Sequence, residues 1–245
     1  MTEVPRSLEA AIEQAKEATR AAIQAGVARI VVDINIPELK VMPIAEQLYP
    51  VLEELGLQFN VYFPDAGAAA LAKRDWNNPD FSIRGISEIK GQCLETDDEA
   101  FLIVEPSSVE VNDVEAFCNE AVGRYVVMVN PKLEDVATIG IGYSGRQLRE
   151  RFLSTLESCY YLQPLEGATI LRLYPGAWQV WGEVADDTYE LLGEFPQKPS
   201  GEAIAKLFEG ETTESEASNT GTPTSRPRKK GLFAELGQFI RALTQ

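Results

Sequence analysis

The chain has 245 residues, 44% of them hydrophobic, and carries a formal net charge of −16. Its length suits one domain with an appendage or two small domains, and no apolar run approaches the roughly 18 residues of a membrane-spanning helix. The absence of histidine removes the commonest general base and all imidazole metal ligands, and the three cysteines lack metal or disulfide-framework spacing. We therefore expect no cofactor and no metal, and we favour a non-enzymatic protein while carboxylate or lysine chemistry stays open.

The first half of the chain alternates helical and extended patterns. Ser7 is a natural N-cap for a first helix, which Gly26 ends. A strand, a helix interrupted by Pro50, a second strand and an alanine-rich helix follow, over residues 28–36, 43–56, 57–63 and 65–76. Two short apolar runs further on are typical of strands buried on both faces, and they enclose another helix; these elements span residues 101–104, 125–129 and 107–123.

The pattern changes from residue 159 onward. Four strands separated by short turns predict an antiparallel meander, and a short helix follows; these elements span residues 159–165, 169–174, 178–184, 189–195 and 200–210. Strands that alternate with helices indicate an α/β fold. We therefore expect one α/β domain over residues 1–210, with a mostly parallel sheet, flanking helices and the meander as an extension of the sheet.

Four of the predicted strands run into proline and then into polar residues, at Pro37, Pro64, Pro106 and Pro131. Proline ends a strand ladder because it has no N–H to donate. In a parallel sheet these turns share the carboxyl edge, where open α/β sheets usually bind ligands, and Asn130 lies at this edge. Plain strand termination is the favoured interpretation, and a ligand site is the alternative.

The spacing G-x-G-x-x-G occurs at Gly140, Gly142 and Gly145, between an extended and a helical stretch. Dinucleotide-binding loops share this spacing, but they normally follow the first strand of their domain and precede further βαβ units, which the meander replaces here. We favour the interpretation that the glycines allow a tight turn and a close approach to a neighbouring strand. The alternative is an anion site, in which the start of the helix acts with Arg146 and Arg149.

Asp65 directly precedes the alanine-rich helix, and Gly67 lies in the first turn of that helix. Asp65 is a natural N-cap, and Gly67 with the alanines would let the helix pack closely on the sheet. A ligand oriented by Asp65 at the sheet edge is the alternative. The cap accounts for Asp65 without any ligand and is favoured.

The end of the chain combines basic and apolar residues. The Thr, Ser, Glu and Pro content of residues 211–227 predicts a disordered linker before a basic amphipathic helix over residues 228–245, which we call the tail. From Arg226 onward five basic residues and one acid give a net charge of +4, which leaves −20 on the rest of the chain. An acidic body repels nucleic acid and anionic lipid, while a basic end can be drawn to either. We expect no nucleic-acid partner.

The apolar side chains of the tail recur at helical spacing and form one face that needs a cover. A membrane surface or a groove on a partner protein is favoured, and packing back on the chain's own domain is the alternative. The residues expected to dock are Arg228, Lys229, Lys230, Leu232, Phe233, Leu236, Phe239, Ile240 and Leu243.

Long stretches of the chain resemble a family of domains of unknown function, number 1995, from cyanobacteria and plastids. The resemblance covers most of residues 5–210 and rests on PIAEQLYPVLEELG, FPDAGAAALAKRDW, VNPKLEDVATIGIGYSGRQLRERFLSTLESCYYLQPL and YPGAWQVW. The tail motif KKGLFAELGQFIRAL is similar to that of cyanobacterial members. The family brings no established catalytic residues. One plant member is linked to assembly of a photosystem II core antenna protein, and a plastid member fuses a similar domain to an adenylate kinase.

The resemblance implies a non-enzymatic auxiliary factor that assists photosystem II assembly or maintenance. Its client would be a photosystem II subunit or assembly factor, and its location the cytoplasm with peripheral contact to the thylakoid membrane. The start of the chain lacks a signal-peptide pattern, which also indicates a cytoplasmic protein. The alternative is a small-molecule or nucleotide-binding protein that uses the carboxyl edge of the sheet and the turn from Gly140 to Arg149.

Overall fold

The structure, a computed structural model, describes residues 3–89, 94, 97–134, 143–185 and 188–208. The chain divides into two compact units. The parallel unit comprises Pro5–Leu162 and Leu173–Pro175, and the meander unit comprises Met1–Val4, Gln163–Arg172 and Gly176–Gln245. Gly140, Gly142, the extended stretch directly before them, the linker and the tail lie outside the described residues.

Within the described residues, nine strands form one sheet. In chain order they are β1 (Arg29–Ile34), β2 (Phe59–Phe63), β3 (Ile83–Gly85), β4 (Ala100–Val104), β5 (Tyr125–Val129), β6 (Glu157–Leu165), β7 (Ala168–Leu173), β8 (Trp178–Ala185) and β9 (Thr188–Phe195). Their order in the sheet is β3-β2-β4-β5-β1-β6-β7-β8-β9. The pairs from β3 to β6 are parallel, and β7, β8 and β9 pair antiparallel. The predicted α/β class, mostly parallel with an antiparallel meander, is confirmed.

The helices are α1 (Leu8–Gln24), α2 (Met42–Leu48), α3 (Pro50–Glu54), α4 (Ala66–Asp75), α5 (Val111–Glu120), α6 (Tyr143–Arg151) and α7 (residues 201–208), with short 3-10 turns at Ile86–Ile89 and Leu153–Thr155. The predicted cap of α1 is confirmed, because Ser7 Oγ accepts a hydrogen bond of 3.2 Å from the Ala10 N–H. The interruption at Pro50 is confirmed as well, since α2 ends at Leu48 and a new helix, α3, begins at this proline.

The two faces of the parallel sheet carry different helices. On one face α1 contacts α2 and α3, and Tyr49 at the α2–α3 junction packs against Trp76 at the end of α4 with ring centroids 5.5 Å apart. On the other face α5 and α6 cover a core in which Phe101 of β4 and Phe117 of α5 meet edge to face at 5.0 Å. Both faces of the central strands are therefore buried, which explains their continuous apolar sequences.

The meander unit has its own small core. Its strands β7, β8 and β9 follow one another with short connections, and α7 buries Ile204, Ala205 and Phe208. The close approach of α7 depends on Gly193 in β9, because a Cβ there would lie 3.2 Å from Leu207 Cδ2.

Two strand assignments differ from the sequence expectation. The short edge strand β3 was not foreseen, because its three residues follow a turn-rich stretch and carry no alternation long enough to indicate a strand. The meander is predicted to begin with β6, but β6 pairs in parallel with β1 along Glu157–Leu162. A sequence pattern identifies an extended segment but does not reveal which distant strand lies beside it.

Candidate functional site

The four proline turns lie at one edge of the parallel sheet. Each proline lies within three residues of the end of its strand, and the four strands are parallel. The prolines that follow β1, β2, β4 and β5 are Pro37, Pro64, Pro106 and Pro131. The shared carboxyl edge expected from the sequence is confirmed. It is the natural place to look for a ligand site in a sheet of this kind.

Topological switch points occur at two places along this edge. The helix after β2 lies on one face of the sheet and the helix after β4 lies on the other, although the two strands are neighbours. The same holds for the neighbours β1 and β5, which are followed by α2 and α6. A crevice between diverging connections is expected at each switch point.

The backbone is left-handed at two adjacent positions on this edge. Glu105 follows β4 with φ of 51°, and Asn130 follows β5 with φ of 47°. For a residue other than glycine such a conformation costs roughly 1–2 kcal/mol, although asparagine tolerates it better than most. Backbone hydrogen bonds hold both residues, from the Glu105 N–H to the Val129 carbonyl and from the Asn130 N–H to the Val32 carbonyl, each 2.8 Å long.

The side chain of Asn130 occupies the switch point between β5 and β1. It is buried, its Oδ1 accepts from the Ile34 N–H at 2.9 Å, and its Nδ2 donates to the Ile34 carbonyl at 2.8 Å. The amide thus continues the β5–β1 pairing beyond the last backbone rung. The sequence places Asn130 correctly at the carboxyl edge, but its oxygen and its nitrogen each bond to the chain itself.

The turns after β4 and β5 are also joined to each other. Ser107 and Lys132 form an isolated parallel bridge, in which the Lys132 N–H donates to the Pro106 carbonyl at 2.7 Å. Lys132 Nζ lies 3.0 Å from Glu105 Oε1, and both side chains are largely exposed, so this ion pair adds little stability. The two loops therefore behave as an extension of the sheet.

Asp65 and Gly67 lie at the start of α4. The Ala68 N–H donates to Asp65 Oδ1 at 2.9 Å, which confirms the N-cap interpretation. A Cβ on Gly67 would lie 3.0 Å from the same Asp65 oxygen. Glycine at this position therefore leaves room for the capping carboxylate. The expectation that Gly67 lets the helix pack closely on the sheet is wrong, because no described strand atom lies within 4 Å of that Cβ.

The start of α6 differs from the sequence expectation. The helix begins at Tyr143, so Gly145 lies within its first turn and Arg146 follows there. Among the residues that the structure describes, none has an atom within 4 Å of a Cβ placed on Gly145, and the φ of Gly145 is not positive. The interpretation that glycine is needed for a tight turn or a close approach is therefore wrong for Gly145, while Gly140 and Gly142 lie outside the described residues.

The three arginines of α6 differ in whether they form ion pairs. Nε and Nη2 of Arg149 both donate to Glu134 Oε1, at 2.9 and 2.7 Å, and Arg151 forms a two-point pair with Glu115 at 2.7 and 2.9 Å. Arg146 is exposed and has no hydrogen bond or ion pair within the part of the chain that the structure describes. Only Arg146 among the candidate anion ligands thus keeps its guanidinium uncommitted within that part.

The openness of Gly145 predicts a stabilising substitution. Gly145→Ala should raise the free energy of unfolding by about 0.5–1 kcal/mol, because alanine loses less conformational entropy in a helix and its methyl group has room. Urea titration followed by circular dichroism measures the change.

Gly85→Ala is the matched control, since its Cβ would lie 2.8 Å from the Ala66 nitrogen and should destabilise the fold by about 1–3 kcal/mol. A loss of stability in Gly145→Ala would show that the residue packs against something other than open space.

Asp33 and Tyr161 are two neighbouring polar residues whose proximity the sequence did not predict. They are register neighbours on β1 and β6 near the carboxyl edge, Asp33 half-buried and Tyr161 buried. Burial, and to a lesser extent the Asp33 carboxylate, raise the pKa of Tyr161. A carboxylate within the apolar run IVVDINI was the available signal, but its partner lies on a distant strand.

Taken together, the fold and the edge define a doubly wound α/β protein whose carboxyl-edge turns are tied to the sheet. The chain belongs to the family described as Domain of unknown function (DUF1995), whose model matches residues 5–206. This match confirms the family resemblance read from the sequence. Among the described residues, no helix has the length and apolar character needed to cross a membrane.

Proposed function

We propose that this chain is a non-enzymatic auxiliary factor that works by holding other components together. One observation carries the proposal: three of the side chains that the sequence offered as ligand contacts are bonded within the chain. Asp65 caps α4, Asn130 bonds to Ile34, and Arg149 pairs with Glu134. These contacts favour a rigid body that presents surfaces to partners.

The tail supplies the docking element of the proposal. From Arg226 onward the chain carries a net charge of +4, in contrast to −20 on the rest, and the apolar residues of the tail share one helical face. We propose that the tail holds the protein at an anionic membrane surface, with apolar side chains entering the interface and basic residues contacting headgroups. From the family resemblance we propose the thylakoid as that membrane and a photosystem II subunit or assembly factor as the client.

Co-sedimentation with vesicles tests the membrane contact. The full chain should sediment with vesicles that contain anionic lipid at low salt, and removal of residues 228–245 should abolish this binding. Added salt should weaken the binding of the full chain, since exposed charges are screened over about 10 Å at 0.1 M ionic strength.

The matched control replaces only the charges, as Arg228→Gln, Lys229→Gln and Lys230→Gln together. This variant should bind more weakly and lose most of the salt dependence, while its apolar face is intact. Equal sedimentation of the full and shortened chains would remove the tail from the membrane contact.

A second candidate, binding of a nucleotide or phosphorylated metabolite, has one observation in its favour. The exposed Arg146 guanidinium and the open space at Gly145 lie side by side in the first turn of α6. A ligand there should raise the melting temperature of the wild-type chain in a thermal-shift screen, and Arg146→Gln should reduce that rise.

A further inference from the structure

The outer face of β8 and β9 carries an apolar centre between two acidic side chains. Trp181 pairs with Leu191, Gln179 pairs with Glu194, and Glu183 pairs with Tyr189. A register shift between the pairs of Val180 and Trp181 leaves one extra residue in β9, so all six side chains share one face. Leu191 is 41% exposed and Trp181 is half-buried, while Glu183 and Glu194 are exposed. We call these six residues the β8–β9 patch: Gln179, Trp181, Glu183, Tyr189, Leu191 and Glu194.

Hydrogen bonds fix the central side chain of this patch. Trp181 Nε1 donates to Gln179 Oε1 at 3.1 Å, and Gln179 Nε2 donates to Glu194 Oε1 at 2.7 Å. The indole ring therefore has a defined orientation before any partner arrives. A preorganised aromatic residue beside an exposed leucine is a typical anchor of a binding surface, and the carboxylates at its rim select a basic partner.

The opposite face of the same strands is already covered. Helix α7 packs there, with Leu207 against Gly193 of β9. Because α7 packs on β9, its last described residue, Phe208, lies close to that strand. Arg226 follows 18 residues later, and that length of chain can span up to about 60 Å, which is ample to reach the β8–β9 patch.

We propose that the tail of the same chain, residues 228–245, docks on the β8–β9 patch when no membrane is present. Their composition matches the patch: Arg228, Lys229 and Lys230 complement Glu183 and Glu194, and the adjacent apolar residues complement Trp181 and Leu191. This inference rests on the proposed function, because the docked segment is the one that contacts the membrane. The patch and an anionic membrane compete for the tail. The apparent membrane affinity is therefore the affinity of the free tail multiplied by the fraction of tail that is undocked.

Limited trypsin cleavage of the full chain measures the docked state directly. Docking should protect the peptide bonds after Arg228, Lys229 and Lys230 from trypsin. Leu191→Asp should release the tail and speed cleavage at these bonds by about 3- to 10-fold. This range is expected if about 70–90% of the tail is docked in the wild-type chain. The same variant should bind anionic vesicles tighter by a similar factor. Val109→Asp is the matched control, since Val109 is 82% exposed and lies outside the patch, and it should change neither measurement.

Glu183→Lys is a second variant that keeps the test valid if Leu191→Asp perturbs the fold. Its exposed side chain allows the charge reversal, which should speed cleavage in the same way. Cleavage that is unchanged in both variants overturns the proposal. Protection that depends on protein concentration also overturns it, because the occupant is then a second copy.

The two proposals fail separately. If no variant binds vesicles but both patch variants speed cleavage, the tail docks on the patch and the membrane contact is wrong. If the wild-type chain binds vesicles and cleavage is unchanged by the patch variants, the membrane contact stands and the docking is wrong.

Discussion

Asn130→Ala is expected to lower the free energy of unfolding by about 3–5 kcal/mol. The substitution leaves the Ile34 N–H and carbonyl without their amide partners, at about 1–3 kcal/mol for each buried group. It also places alanine at φ of 47°, where asparagine is better tolerated. Urea titration gives the free energy, and slower hydrogen exchange at the Ile34 amide in the wild type would locate the effect.

Asn130→Gly separates the two causes. Glycine adopts the left-handed backbone freely but has no amide, so it should be about 1 kcal/mol more stable than the alanine variant and still well below the wild type. A loss of less than about 1 kcal/mol in both variants would mean that the amide does not hold β1 to β5. Asn130 would then be available for a ligand, as the alternative reading of the carboxyl edge requires.

Phe101→Ala is the second large expected effect, about 3–5 kcal/mol. The Phe101 ring is fully buried in β4 and meets the Phe117 ring edge to face at 5.0 Å, with an interplanar angle of 86°. The Arg124 guanidinium lies over the same ring, 5.0 Å from its centroid. Truncation therefore removes buried apolar area, an aromatic pair and a cation–π contact at once.

Chemical denaturation measures this change, with Val109→Ala as the control. Val109 is 82% exposed, and its truncation should alter the free energy of unfolding by no more than about 0.5 kcal/mol. A cost below about 2 kcal/mol for Phe101→Ala would show that α5 relaxes into the space of the ring. In that case the core between α5 and the sheet would repack around a truncated side chain more readily than the close contact of its rings implies.

Local signals account for the parts of the fold that the sequence predicted well. Ser7 and Asp65 were recognisable as caps because an N-cap bond joins residues only three positions apart. The strands β4 and β5 were recognisable because burial on both faces demands a continuous apolar run. Both kinds of evidence lie within a few residues of the element they identify.

The features that the sequence did not predict depend on neighbours far along the chain. The parallel partner of β6 is β1, and the partner of Asp33 is Tyr161, more than 100 residues away. Asn130 could be placed at the carboxyl edge from its position after β5, but its bonds to Ile34 required the strand order. The role of Gly145 was misjudged because motif spacing says nothing about the space around a residue.

The central position of β1 has a consequence for synthesis on the ribosome. Its first pairing partner, Val126 opposite Arg29, is 97 residues further along the chain. At about 5–20 residues per second, β1 has no strand to pair with for roughly 5–20 s after it is made. During that interval the apolar segment IVVDI has neither of its native neighbouring strands and is open to aggregation.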